Sequence, residues 1–261
     1  MLEVRGIVKG YYESHGLFKK RHKAVLKGVS LDVKRGECIG LIGESGSGKS
    51  TLGKIILGIE KADKGAIYFE GKIEKKSYEK EMSVVFQDYT SSVNPRFRMK
   101  EVIAEALGKS IPCAKEKRAY IVSLLEEVGL NESFLERYAH ELSGGQLQRV
   151  CIARAIATKP KFILLDEAVS SLDVSVQLQI LELLKQLKEK HNLSYLFITH
   201  DVMCVTYLCD RVIFFKEGEC VENIDKIEDL KYISHPYSKS LLHAVEALEI
   251  PNFVESSQYG L

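Results

Sequence analysis

Apolar and polar residues alternate through LEVRGIVKGYY (2–12) and VSLDV (29–33), the period of half-buried strands. Between them ESHGLFKKRHKA (13–24) is polar and basic, and Lys19, Lys20, Arg21 and Lys23 read as a solvated hairpin loop. CIGLIG (38–43) is apolar throughout, as a strand covered on both faces must be. KSTLGKIILGIE (49–60) then takes helical spacing, with Leu52, Ile55, Ile56 and Ile59 on one face. GAIYFEG and MSVVFQD predict two more strands.

From about residue 95 to 158 the pattern turns helical: KEVIAEALGK, KRAYIVSLLEEVGL and GGQLQRVCIARAIA repeat apolar positions three and four apart. FILLDE returns to a buried strand, VSVQLQILELLKQLKEKH is a long amphipathic helix, and LSYLFITH, DRVIFFKEG and ECVENI are strands. There is no internal repeat. Strands alternating with helices predict an α/β core with a largely parallel sheet, an antiparallel N-terminal flank and an inserted helical lobe.

Composition narrows the function more than the fold. Thirty-seven Lys and Arg against thirty-six Asp and Glu leave a net charge of +1, which argues against nucleic acid as a partner. No run approaches the roughly 20 apolar residues of a spanning helix, and the N-terminus lacks a signal peptide's apolar stretch. The chain is therefore expected in the cytosol, reaching a membrane only through partners. The six cysteines form no CxxC pair and read as small buried hydrophobes; a metal site from Cys204 and Cys209 has no paired ligand motif behind it.

The candidate chemistry starts at residues 43–50, GESGSGKS, which satisfy G-x-x-x-x-G-K-[ST]. Gly43, Gly46 and Gly48 permit backbone conformations that turn successive N–H groups onto phosphate oxygens. Glu44, Ser45 and Ser47 lie in the same loop, and the helix that follows adds the positive end of its dipole. Lys49 would reach the β- and γ-phosphates and Ser50 would ligate Mg²⁺, with Thr51 next to it. A flexible turn matching by accident is the alternative; the strand before and the helix after favour phosphate.

Asp166 and Glu167 end a buried strand, where nucleotide sites form in open α/β sheets. Neighbours on a strand point opposite ways, so if the strand persists the two acids would do different work: one holds Mg²⁺, the other polarises an attacking water. Downstream of the helical block's start, Ser143-Gly144-Gly145-Gln146 offers a second cluster of N–H groups at a helix N-terminus; the alternative reading makes Ser143 an N-cap only.

GESGSGKST, Gln87 in VVFQD, LSGGQ at 142–146, FILLDE, SSLD and His200 in FITHD follow in the order of the motifs of ABC-type ATPase subunits, which the chain resembles over nearly its whole length. The resemblance implies a phosphate-loop NTPase core with a mainly parallel sheet: one ABC ATPase domain over 1–261, with a helical subdomain at about 88–158 and a C-terminal tail at 235–261. It implies ATP and Mg²⁺ as cofactors and head-to-tail pairing of two subunits. ATP on one phosphate loop then meets Ser143, Gly144, Gly145 and Gln146 of the other. Asp166, Ser50 and Gln87 would hold Mg²⁺, Glu167 would be the general base, His200 would contact the γ-phosphate, and Asp173 would link the two sites. Tyr11 matches the aromatic residue that stacks on adenine, with Tyr12 beside it as an alternative. Without these motifs a lone histidine after a strand would read as structural.

SSVNPR, LFKKRHKAVLKGVS, LDVSVQLQILELLK and HPYSKSLL look like the subfamily serving peptide and nickel importers. LSGGQLQRVCIARAI and LDEAVSSLD, with Ala168 where many members have proline, look most similar to nickel-import subunits. The tail lacks the cysteine-rich extension of dipeptide-specific subunits. The resemblance implies as partners a second, paralogous ATPase subunit (a homodimer being possible in isolation), two integral-membrane permease subunits and, indirectly, an extracytoplasmic solute-binding protein. The expected location is peripheral, on the cytoplasmic side of the membrane. His15, His22 and His191 are not recruited as nickel ligands. A soluble ABC ATPase of chromosomes or ribosomes, lacking its coiled coil or second unit here, and an ordinary phosphoryl-transfer enzyme are the competing readings.

Overall fold

The computed structural model describes residues 1–15, 19–73, 79–88, 90–108 and 110–246. Five strands form a parallel array: β3 (Cys38–Ile42), β5 (Met82–Val85), β6 (Phe162–Asp166), β7 (Ser194–Thr199) and β8 (Arg211–Lys216). The antiparallel β9 (Glu219–Ile224) completes a six-stranded sheet ordered β5-β6-β7-β3-β8-β9. A second sheet, ordered β2-β1-β4, joins β1 (Leu2–His15), β2 (Lys19–Val33) and β4 (Lys64–Phe69) in antiparallel register.

Both faces of the larger sheet are covered, which explains its unbroken apolar strands. Ile39 and Leu41 of β3, Leu164 of β6, Leu196 and Ile198 of β7 and Ile213 of β8 enter a core with the antiparallel sheet and α1 (Lys49–Ile56). Their neighbours Ile42, Leu165, Phe197 and Phe214 enter a second core, closed by helices. That core takes in α2 (Met99–Leu107), α3 (Ala114–Glu127) and α4 (Gly144–Ile156), all carried between β5 and β6. It also takes in α5 (Val174–His191) and α6 (Val202–Leu208). Period-2 alternation is present in these strands, but both sides are apolar, so it is invisible to a polar/apolar count.

Three sequence expectations are corrected. Residues 13–15 and 19–24 are strand, not loop: β1 runs to His15 and β2 begins at Lys19, pairing Glu13 with Arg21 and Tyr12 with His22, while 16–18 lie outside the described residues. Basic residues there had masked a strand pair that extends far beyond its apolar root. Ile59 does not share the buried face of α1. The helix ends at Ile56, Gly58 takes φ +64 and Ile59 is 59% exposed, because the left-handed glycine stops the helix first. Two helices escaped the periodicity: α6, only seven residues long, and α7 (Pro236–Glu246), which occupies the first part of the expected tail. Residues 247–261 of that tail lie outside the described residues.

Among the described residues no helix is long and apolar enough to cross a membrane.

Candidate nucleotide site

The phosphate-loop candidate leaves β3 at Ile42 and enters α1 at Lys49. Gly43 is demanded by space: a Cβ there would lie 2.0 Å from the Phe215 carbonyl oxygen. Gly48, at the N-cap of α1, has φ +108 and gives the helix no side-chain cap, so the first N–H groups of α1 are left to another acceptor. The loop is braced from outside. The Gly218 N–H donates to the Ser47 carbonyl at 2.9 Å, and the Glu44 N–H donates to the Tyr237 hydroxyl at 3.0 Å. Glu44, Ser45 and Gly46 face solvent, and Ser47 Oγ is buried without a hydrogen-bond partner.

Lys49 is only 5% exposed and folds back over the loop, donating to the carbonyls of Gly43 at 2.7 Å and Glu44 at 2.8 Å. Burial lowers its pKa, and the charges of Glu167, Asp166 and Glu44 oppose that shift. Ser50 donates to Asp166 Oδ1 at 3.0 Å, joining the start of α1 to the end of β6. Burial raises the Asp166 pKa, the Ser50 hydrogen bond opposes it, and the neighbouring Glu167 charge adds to it.

The two acids separate because the strand does not persist. Glu167 N–H still donates to the Ile198 carbonyl at 2.8 Å, but its φ of +48 leaves the extended region. Its carboxylate receives the Gln87 amide Nε2 at 2.9 Å and lies 3.6 Å from His200 Nδ1. A cavity of about 390 Å³ is lined by Phe86, Gln87, Asp88, Ser91, Ser92 and Asp166. Lys49, Ser50, Gln87, Asp166, Glu167 and His200 are thus gathered at the carboxyl ends of β3, β5, β6 and β7.

Tyr11 and Tyr12, the two candidates for adenine, differ in their surroundings. The Tyr11 hydroxyl donates to Glu60 Oε1 at 2.5 Å and also bonds Thr51 of α1, under the Lys9 ammonium 5.3 Å from its ring centroid. Burial and the Glu60 contact raise its pKa. Tyr12 is 72% exposed and meets the His22 ring edge-on.

Ser143 to Gln146 open α4 at a different part of the surface. Ser143 Oγ accepts from Gln146 N–H at 3.3 Å, and Gln146 Oε1 accepts from Ser143 N–H at 3.0 Å, a reciprocal capping box. The N-cap reading of Ser143 is therefore correct as local structure. Gly145 is required by packing, since a Cβ would meet Val176 Cγ1 at 2.5 Å. Asp173 caps α5, accepting from Val176 N–H at 3.0 Å and the Ser175 hydroxyl at 2.7 Å, and these contacts lower its pKa, the hydroxyl most.

Two buried groups near the site carry no sequence signal. Gln148 of α4 is fully buried and donates to the Ala168 carbonyl at 2.6 Å, directly after Glu167. Tyr237 reaches Glu44 across 193 residues of sequence. Cys209 faces Cys38, with their sulfurs 3.4 Å apart, while Cys204 Sγ contacts Asp201; no group of three or more metal-binding side chains occurs among the described residues.

Comparison with known proteins supplies the lineage. The sequence profile described as ABC transporter matches residues 26–170. The "Metal-staphylopine import system ATP-binding protein CntF" of Staphylococcus aureus is 47% identical over 227 residues, 86% of this chain and 91% of that protein. The "Dipeptide transport ATP-binding protein DppF" of Lactococcus lactis is 42% identical over 87% of this chain and 76% of its own length. Among solved structures, the dimeric post-hydrolysis state of the ATP-binding cassette MJ0796 bound to ADP and Pi superposes with TM-score 0.77 at 29% identity, covering 87% of this chain and 99% of that one. With profile, relatives and fold in agreement, this chain belongs to the ABC transporter family, as an ATP-binding subunit of the importer type.

Proposed function

We propose that the chain binds and hydrolyses ATP at the loop 43–51 and uses that cycle to drive import through membrane permease subunits. The observation that carries the reading is the Gln87–Glu167–His200 cluster beside the Lys49–Ser50–Asp166 group, at one end of the sheet. The loop suits a phosphate: a cradle closed to any Cβ at Gly43, an uncapped helix start, and the unpartnered Ser47 hydroxyl. Tyr11, braced on Thr51 and Glu60, offers its ring to the adenine.

Ser50 and Asp166, with Gln87 across the cavity, are hard oxygen donors of the kind Mg²⁺ takes. Bound there, the ion neutralises charge on the phosphate oxygens. Glu167 accepts a proton from the attacking water, Gln87 fixes the carboxylate's direction through its amide, and His200, beside Glu167, donates toward the γ-phosphate. Lys49 exchanges its two carbonyl partners for phosphate oxygens, giving stronger charge-assisted bonds.

Ser143, Gly144, Gly145 and Gln146 lie on the lobe 88–158 and complete the site of a second ATPase subunit, while Asp173 contributes to that interface. Hydrolysis then requires the pair. The neighbour MJ0796 is described as a dimer, which supports this arrangement. The chain would sit on the cytoplasmic face of a membrane through its permeases.

For the solute we favour a metal, as nickel or a nickel chelate, because the CntF relative of a metal import system is 47% identical. A peptide importer is the second reading, supported by DppF at 42% and by the "Oligopeptide transport ATP-binding protein OppF" of Bacillus subtilis at 40%. Radionickel uptake in cells carrying or lacking the chain, with di- and oligopeptide uptake measured in parallel, distinguishes them. For the chemistry, Glu167→Gln should retain ATP binding and lower turnover by about 10²- to 10⁴-fold; turnover equal to the parent's rejects Glu167 as base.

A further inference from the structure

The same phosphate loop is held by a residue far along the chain. Tyr237, in the first turn of α7, is 6% exposed, and its hydroxyl sits between two backbone groups. It accepts the Glu44 N–H at 3.0 Å and donates to the Phe215 carbonyl at 3.4 Å. That carbonyl is the one that forbids a Cβ at Gly43. The phenol therefore rests on the end of β8 and presents a lone pair to the loop. Lys216 Nζ lies 5.0 Å from the ring centroid and covers its face.

Helix α7 is itself anchored. Glu222 of β9 accepts from the Ser234 N–H at 2.7 Å, the Ser234 hydroxyl at 2.8 Å and the His235 N–H at 3.1 Å, just before the helix begins. Burial alone would raise its pKa. The nearby Ser238 hydroxyl and the hydrogen bonds from Ser234 and His235 outweigh that and hold it at about 2, so the anchor is charged throughout the physiological range.

Residue 44 is thus gripped on both sides of its own Cα: Tyr237 takes the N–H and Lys49 takes the C=O. These two grips differ in lifetime under the nucleotide-binding reading, on which this inference rests. Once Lys49 turns to phosphate, it gives up the Gly43 and Glu44 carbonyls, and the phenol bond remains. We propose that Tyr237 is a positioning residue for ATP: its hydroxyl keeps the entrance of the phosphate loop in its binding shape when Lys49 is drawn away. Helix α7 is accordingly a strap on the nucleotide site.

Tyr237→Phe keeps the ring and removes only the hydroxyl. A net intramolecular hydrogen bond corresponds to about a 2- to 12-fold change in an equilibrium constant. The dissociation constant for ATP, measured by calorimetry, should rise in that range, and KM for ATP should rise with kcat within twofold of the parent. Tyr195→Phe is the control: it removes another buried phenol bond, to the Leu184 carbonyl at 3.1 Å, remote from the loop, and should cost stability with ATP affinity unchanged. In the parent protein, nuclear magnetic resonance should show the Glu44 amide protected from hydrogen exchange, a measurement that stands even if the variant folds badly.

Unchanged ATP affinity in Tyr237→Phe, equal losses in both variants, or a freely exchanging Glu44 amide would overturn the proposal. Failure of the parent itself to bind ATP would instead reject the underlying reading.

Discussion

Two glycine-rich turns open helices in this molecule, and they are finished in opposite ways. The turn before α1 is braced from outside by Gly218, Tyr237 and the folded-back Lys49, while its helix start has no side-chain cap. The turn before α4 is closed on itself by the Ser143–Gln146 capping box and stands at the surface. The first leaves the N–H groups at its helix start without a side-chain acceptor. The second satisfies its own donors through the Ser143–Gln146 pair. Similar residues therefore leave a helix start open in one place and closed on itself in the other.

The comparison breaks first at Lys49. Lys49→Ala should weaken ATP binding by the isolated chain about 10- to 100-fold, as expected for charge-assisted hydrogen bonds. Titration calorimetry that finds the parent's affinity would remove the functional distinction between the turns.

The α4 turn should answer differently. Gly145→Ala places a Cβ against Val176, and this overpacking should cost about 1–3 kcal/mol of stability. Hydrolysis should fall while ATP affinity of the monomer stays at the parent value. Adding Val176→Ala should restore much of both stability and turnover. A double variant no better than the single one would locate the fault elsewhere.

The smallest effect concerns the cost of the open site. Burial raises the Asp166 pKa, so the folded chain retains that proton to higher pH than the unfolded chain does. Stability from the neutral form is full below the ordinary carboxylate range and is lost as pH rises through the raised value. Asp166→Asn should therefore stabilise the nucleotide-free chain by about 1 kcal/mol at pH 7, in line with other relieved functional sites. The gain should vanish near pH 3, where both chains are neutral at that position, and scanning calorimetry at the two pH values checks it.

Much of this contrast was legible in the sequence, for physical reasons. The apolar runs of β3, β6, β7 and β8 required cover on both faces, and 43–50 could hardly fill a core. The Ser143 cap followed from a serine ahead of two glycines at a helix start, although the reciprocal Gln146 contact did not. The departure of Glu167 from the strand did not, because left-handed backbone at a glutamate leaves no compositional trace. Nor did α7: its N-terminal Pro-Tyr-Ser read as tail, and the value of Tyr237 lies in a contact that periodicity cannot encode. Ile59 was misassigned although Gly58 marked the stop, since the apolar spacing continued past it.

The placement of β3 between β7 and β8 has a consequence for biosynthesis. The phosphate-loop motif emerges early from the ribosome, but both flanking strands, the Gly218 brace and the Tyr237 strap are made in the last third of the chain. A nascent chain halted before β8 would carry the full motif without its mould. Competence to hold nucleotide should thus arrive late and together with the closing of long-range contacts, the slow part of folding for such topologies. An incomplete subunit should by this means be kept from entering an ATP cycle.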